Sequence, residues 1–139
     1  MINFRMTKIT VEQFAILADT MPQSSLNLTT ELELKYNTAA CMVATVMKFT
    51  FEADTGKIMM LQVCCEFEVL KDDWEKHTKE GKTVLPKELI AYFLVQTVGT
   101  ARGILHCKTE GTPFNCIVLP PINVSNMVKE DLELHTTEK

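Results

Sequence analysis

No run of basic residues occurs anywhere in this sequence: its 14 lysines and arginines are scattered, and the formal net charge is −4. That excludes nucleic acid as the expected partner, because phosphates require a concentrated basic face. Long hydrophobic runs are missing as well. No segment approaches the roughly 20 apolar residues that cross a bilayer, so membrane insertion is not expected. Residues 1–10 lack the basic region and unbroken apolar stretch of a signal peptide, which makes the cytoplasm the expected compartment. The five cysteines (Cys41, Cys64, Cys65, Cys107 and Cys116) are odd in number and include no Cys-x-x-Cys pair. Cys64 and Cys65 are adjacent; on a strand they point to opposite faces and cannot bond each other. They read as buried free thiols in a reducing compartment. The sequence also has no Gly-rich phosphate loop, no His-Glu-x-x-His and no Gly-x-Ser-x-Gly. His77, His106 and His135 are far apart, and a neighbouring pair such as His106 and Cys107 seldom has catalytic geometry. No catalytic residue, metal site or cofactor is assigned, and the expectation is a protein that is not an enzyme.

What is present is an ordinary globular balance, 46% hydrophobic and 23% charged over 139 residues. A chain of that length buries about two-thirds of its unfolded surface around one core. The clearest pattern runs from Leu26 to Tyr36, where apolar residues and Thr30 alternate with Asn27, Thr29, Glu31, Glu33 and Lys35. Period two over this length predicts a long strand with one buried and one wet face. Cys41–Phe51 and Met59–Val69 are predicted as the next two strands, with Asp54-Thr55-Gly56 as the hairpin loop between them. One further strand is expected within Phe4–Val11, followed by a crossover segment, Phe14–Ser25. Lys71–Lys82 is polar and reads mainly as connection, with a turn of helix from Asp72.

The period then changes. Ile90, Leu94, Val98, Ala101 and Leu105 recur at three- and four-residue spacing after Pro86, predicting a helix to His106 about 31 Å long. It is apolar on more than one side, which predicts contact with its own sheet and with another subunit. Gly99 and Gly103 each cost about 1 kcal/mol in a helix interior relative to Ala, and close backbone approach is the reason to expect for them. Arg102 either reaches solvent or pairs with a carboxylate across an interface, and the residues alone leave both open. Beyond the helix, Phe114–Val124 is extended, and Pro120-Pro121 bars it from being a central strand. Ser125 is expected to cap a short helix carrying Met127, Val128 and Leu132. The fold class expected is α+β: a four-stranded antiparallel sheet, a long helix packed across it and a short C-terminal helix. One domain is expected over residues 1–132, with a short flexible tail over 133–139.

The order of these elements resembles the SecB family of export chaperones. Thr97-Val98-Gly99-Thr100-Ala101-Arg102-Gly103 resembles the family's helix end with its Ser/Thr-Arg-Gly element. Phe114–Val124, with Leu119-Pro120-Pro121-Ile122-Asn123-Val124, resembles its Phe-x-x-(Leu/Asn)-x-Leu-x-Pro-(Val/Ile)-Asn-(Phe/Val) stretch. The layout covers nearly the whole chain, while some 30 residues carry recognisable identity. The resemblance implies an ATP-independent holdase for unfolded polypeptides or preproteins, assembled as a dimer of dimers. It implies a client groove formed by Phe14, Leu17, Met21, Met127, Val128 and Leu132. An interface between copies is expected at Leu94, Val98, Gly99, Arg102 and Gly103. The eight methionines suit a surface that accepts many sequences. Family members that deliver cargo to the SecA motor present acidic residues at positions that fall here near the neutral Gln13 and Gln62. Glu12 and Glu66 lie nearby but project differently, and the acidic tail common in the family is short. SecA is therefore a partner that the family implies and these residues do not support. The alternative is an adaptor for one specific protein, such as an antitoxin, without SecA coupling.

Overall fold

The alternating leucines form β2 (Asn27–Asn37), which pairs antiparallel with β3 (Met42–Ala53), and β3 pairs in turn with β4 (Gly56–Val69). Gly56, at φ +129°, starts β4 directly after the expected Asp54-Thr55 turn, in a conformation that an L side chain rarely adopts. β1 (Phe4–Ile16) lies on the far side of β4, so the sheet order is β1-β4-β3-β2. The computed structural model describes residues 1–136.

β1 extends the expected first strand by five residues, from Val11 to Ile16, and takes Phe14 out of the crossover. Two bulges explain why the pattern was hidden. Thr7 and Glu12 have no partner on β4, each falling where the register shifts. A bulge adds one residue to one strand. The residues opposite the inward side chains of β4 are therefore Phe4, Met6, Ile9, Val11, Phe14 and Ile16, regular in space and irregular in sequence.

The polar stretch after β4 is more structured than expected. It holds α1 (Lys71–Lys76), β5 (Thr78–Lys79) and β6 (Lys82–Leu85). The turn between the two strands uses positive φ at Glu80 and Gly81. The buried Asp73 accepts the backbone N–H of Asn3 at 2.7 Å, which holds its carboxyl below the usual range despite partial desolvation.

α2 (Lys87–Lys108) starts directly after Pro86 and would span about 33 Å. It packs over β4 and β3. Phe93 stacks on Phe67 with centroids 4.3 Å apart, and Phe4 meets Phe93 edge-on at 4.9 Å. One turn further, the Thr97 hydroxyl donates to the Phe93 carbonyl at 2.9 Å and accepts from Thr45 of β3 at 2.5 Å. These buried hydroxyls satisfy each other, and such a pair fixes the helix in one register over the sheet.

After α2 the chain makes a short 3-10 turn, Pro113–Cys116, capped by the Thr112 hydroxyl, and runs extended to a second one, Val124–Asn126. The short terminal helix takes the form of this three-residue turn, which ends before Met127. Leu132, expected on that helix, lies in β7 (Leu132–His135), paired with Leu85 of β6. Leu132 and Leu134 alternate with Glu133 and His135, a period-two signal, and Leu134 is fully buried. Ser125 bonds Asn123 Oδ1 instead of capping. The tail boundary expected at 132/133 thus falls inside a strand, and residues 137–139 lie outside the described residues. Asp131 Oδ1 accepts the Lys87 N–H at 2.9 Å, placing a carboxylate at the positive end of the α2 dipole.

Candidate functional site

The faces of α2 organise the surface. Leu94, Val98, Ala101 and Leu105 point to the sheet and are buried. Leu94 and Val98 were expected between copies of the chain, yet they pack within this chain's own core. The outward face carries Tyr92 and Val95, which are 51% and 50% exposed. It also carries Gly99 and Gly103, where an added Cβ would meet nothing within 4 Å. On the β1 flank, Val11, Thr100, Ile104 and Cys107 line a shallow cleft with these glycines.

Arg102 lies about 200° around the helix from Thr100, on the opposite flank. Its Nε donates to the Leu119 carbonyl at 2.6 Å and its Nη2 to the Pro120 carbonyl at 3.1 Å. Both alternatives left open by its sequence, solvent or a carboxylate across an interface, give way to a contact with its own chain. The segment Ile117–Asn123 is thereby strapped alongside α2. Ile117 and Leu119 of this strap are buried, while Val118 is 62% exposed.

The strap stands on the side of α2 away from β1. β2, the edge strand on that side, keeps Leu28, Leu32 and Leu34 only half buried, because α2 covers β3 and β4. This leucine row and the strap lie on the same flank of α2 and are the candidate client surface. Leu28, Leu32, Leu34 and Val118 were not among the residues expected there. The alternation of β2 marked its leucines as inward, but no local signal says that the helix stops short of them.

The six expected groove residues fall into two groups. Phe14 pairs opposite Leu61, Leu17 donates its N–H to the Ile58 carbonyl at 2.7 Å, and Met21 lies in the crossover leading to Asn27. All three belong to the end of the sheet where β3 turns into β4, and Leu17 is half exposed. Met127 and Val128 are half buried in the link from the second 3-10 turn to β7, and Leu132 is half buried opposite Leu85. This second group lies toward the other end, where β4 leaves the sheet. The two do not touch as one pocket, and the strap runs from one end to the other.

The outer face of the sheet is mixed in charge. Arg5 pairs with Glu68 at 2.9 Å, and Lys8 and Lys48 stand opposite Glu66 and Glu31. Gln13 faces Gln62, whose amide donates to Glu12 at 2.6 Å. Cys64 and Cys65 are buried as expected, whereas Cys41 is half buried and Cys107 and Cys116 are exposed, on the open flank of α2 and in the first 3-10 turn. Burial pushes the Cys65 thiol up, and the neighbouring Thr97 and Thr100 hydroxyls offset this only in part. Burial also raises that of Cys64, with the carboxylates of Glu12 and Glu66 adding to the effect. Neither has the lowered pKa of a nucleophile. Among the described residues no cluster of three or more His, Cys, Asp or Glu could hold a metal ion, and no helix is long and apolar enough to cross a membrane.

No model of a known family matches the sequence, and no curated protein matches it. Among solved structures, the chain is similar to a SecB-like chaperone of Mycobacterium tuberculosis in complex with a ChAD peptide from an antitoxin. The TM-score is 0.56 at 12% identity, over 86% of this chain and 83% of that one. A protein of unknown function from Streptococcus agalactiae matches with a TM-score of 0.35 and 13% identity, over 79% of this chain and 90% of that one, which carries no argument. With its four-stranded antiparallel sheet in the order β1-β4-β3-β2 crossed by one long helix, and the likeness to the first of these over most of both chains, this chain has the SecB-like fold.

Proposed function

We propose that the protein is an ATP-independent, non-enzymatic cytoplasmic holdase that binds extended, unfolded polypeptide in the furrow between β2 and the strap. The observation that carries this reading is the half-buried row Leu28, Leu32 and Leu34 on an edge strand, beside an exposed Val118. An edge strand offers unpaired backbone groups to an extended chain, and the leucines offer apolar contact without demanding one sequence. The groups around Phe14, Leu17 and Met21 and around Met127, Val128 and Leu132 extend the apolar track at either end. The assembly is a dimer of dimers, with Val95, Gly99 and Gly103 and the exposed side of Tyr92 meeting their counterparts, since Val95 is half exposed and an added Cβ at either glycine meets nothing within the chain.

The test is light scattering from a denatured client at micromolar chaperone without nucleotide, alongside sedimentation. Suppressed aggregation by a tetramer is the expected result. A monomer that leaves the client free to aggregate would overturn the reading.

A second reading is an adaptor for one protein, such as an antitoxin. The antitoxin peptide bound by the mycobacterial structure favours it. The neutral Gln13–Gln62 pair and interleaved lysines of the outer sheet face fit either reading without delivery of preproteins to SecA. Capture from the native host separates the two: many unfolded chains for the holdase, one stoichiometric partner for the adaptor.

A further inference from the structure

Between Ile117 and Asn123 the strap makes no backbone hydrogen bond to another element among the described residues. The bonds at its two ends, Ile117 to Phe114 and Asn126 to Asn123, are local. Pro120 and Pro121 have no N–H to donate, so the segment cannot join a sheet as an ordinary strand. Apolar contacts hold Ile117 and Leu119 down, but such contacts are non-directional and do not fix where the backbone runs. The described residues give the strap one polar tether to the rest of the chain, the two bonds from Arg102 to the carbonyls of Leu119 and Pro120. These carbonyls come from successive residues, and the planar guanidinium offers donors in a rigid fork that can meet both at once. No carboxylate among the described residues forms an ion pair with Arg102, so nothing competes for the fork.

We propose that Arg102 is a positioning residue, a latch that holds the strap at a set distance from β2 and so determines the width of the furrow. The inference rests on the furrow reading for its effect on clients, but the latch itself can be measured without any client. Arg102 need not touch the bound chain. It acts through the strap, and its geometric demand is for two carbonyl acceptors rather than for charge alone. A lysine at this position keeps the charge but presents one compact ammonium, so it can hold the strap only loosely.

The experiment compares the full chain with Arg102→Ala and Arg102→Lys. Backbone ¹⁵N relaxation of Val118, Leu119, Ile122 and Asn123 is expected to report order near about 0.85 in the parent and below about 0.6 in Arg102→Ala, with Arg102→Lys between them. An unfolded apolar peptide carrying a fluorophore is expected to dissociate about tenfold faster from Arg102→Ala, equivalent to the loss of one good charged hydrogen bond. The midpoint of urea unfolding shows whether the alanine variant is folded, and Arg102→Lys serves if it is not. Unchanged order in the strap of both variants overturns the latch. A parent protein that binds no peptide at all, with the strap still loosened in the variants, overturns the furrow reading and leaves the latch standing.

Discussion

The inward face of α2 is apolar and the outward face combines Tyr92, Val95 and two glycines with the polar Gln96, and the two meet opposite surroundings. Inward, Phe93, Leu94, Thr97 and Val98 interlock with β3 and β4 and are essentially sealed from water. Outward, Tyr92 and Val95 are half exposed, and two glycines leave the backbone bare with empty space beyond. The residue choice differs in a way that matters. The inward face has side chains shaped to fill a cavity and a hydroxyl pair to set register. The outward face has two residues that weaken the helix and gain nothing within the chain. Apolar residues alone therefore do not distinguish a core face from an uncovered one; packing partners do.

Five substitutions test this contrast. The largest effect is expected for Phe93→Ala, which removes the ring stacked on Phe67 and should cost about 3–5 kcal/mol in urea unfolding. A cost under about 1 kcal/mol would mean that the inward face is not the core it looks like. Thr97→Val keeps the shape but deletes the partner of the Thr45 hydroxyl, and about 1–3 kcal/mol is expected from the same measurement. Gly99→Ala and Gly103→Ala should each stabilise a monomeric chain by up to about 1 kcal/mol, since each methyl would enter open space. In sedimentation the double variant should show weaker self-association, because the added methyl groups keep two backbones apart; unchanged association would remove the glycines from any interface. The smallest effect on folding, within about 0.5 kcal/mol, is expected for Val95→Ser. That variant sharpens the comparison if association weakens while the unfolding midpoint stays put.

Some of this was legible from residue order. The strand at Leu26–Tyr36, its two successors, the hairpin at Gly56 and the long helix after Pro86 follow from period and turn chemistry, which are local. β1 was read short because the bulges at Thr7 and Glu12 shift the alternation by one residue each, and a bulge shows itself in the pairing with β4. The terminal β-strand was missed although Leu132-Glu133-Leu134-His135 alternates, because four residues are too few to decide the period without β6 beside them. At the candidate site, Leu17 and Met21 do lie in the link between β1 and β2, whereas Phe14, expected in that link, belongs to β1. That the leucines of β2 stay only partly covered is not written in their sequence, because it depends on where the helix lies over the sheet.

What the amino-acid order by itself determined is the set of elements and the side of each that avoids water, since both arise from interactions between residues a few positions apart. What only the tertiary structure decided is which apolar sides stay uncovered, and what Arg102 holds. A 22-residue helix lies over two of four strands, so one row of leucines and one bare glycine face remain. The guanidinium meets carbonyls 17 and 18 residues further along the chain. Both outcomes depend on long-range packing, in which the same local preferences permit several arrangements and the fit of the whole selects one.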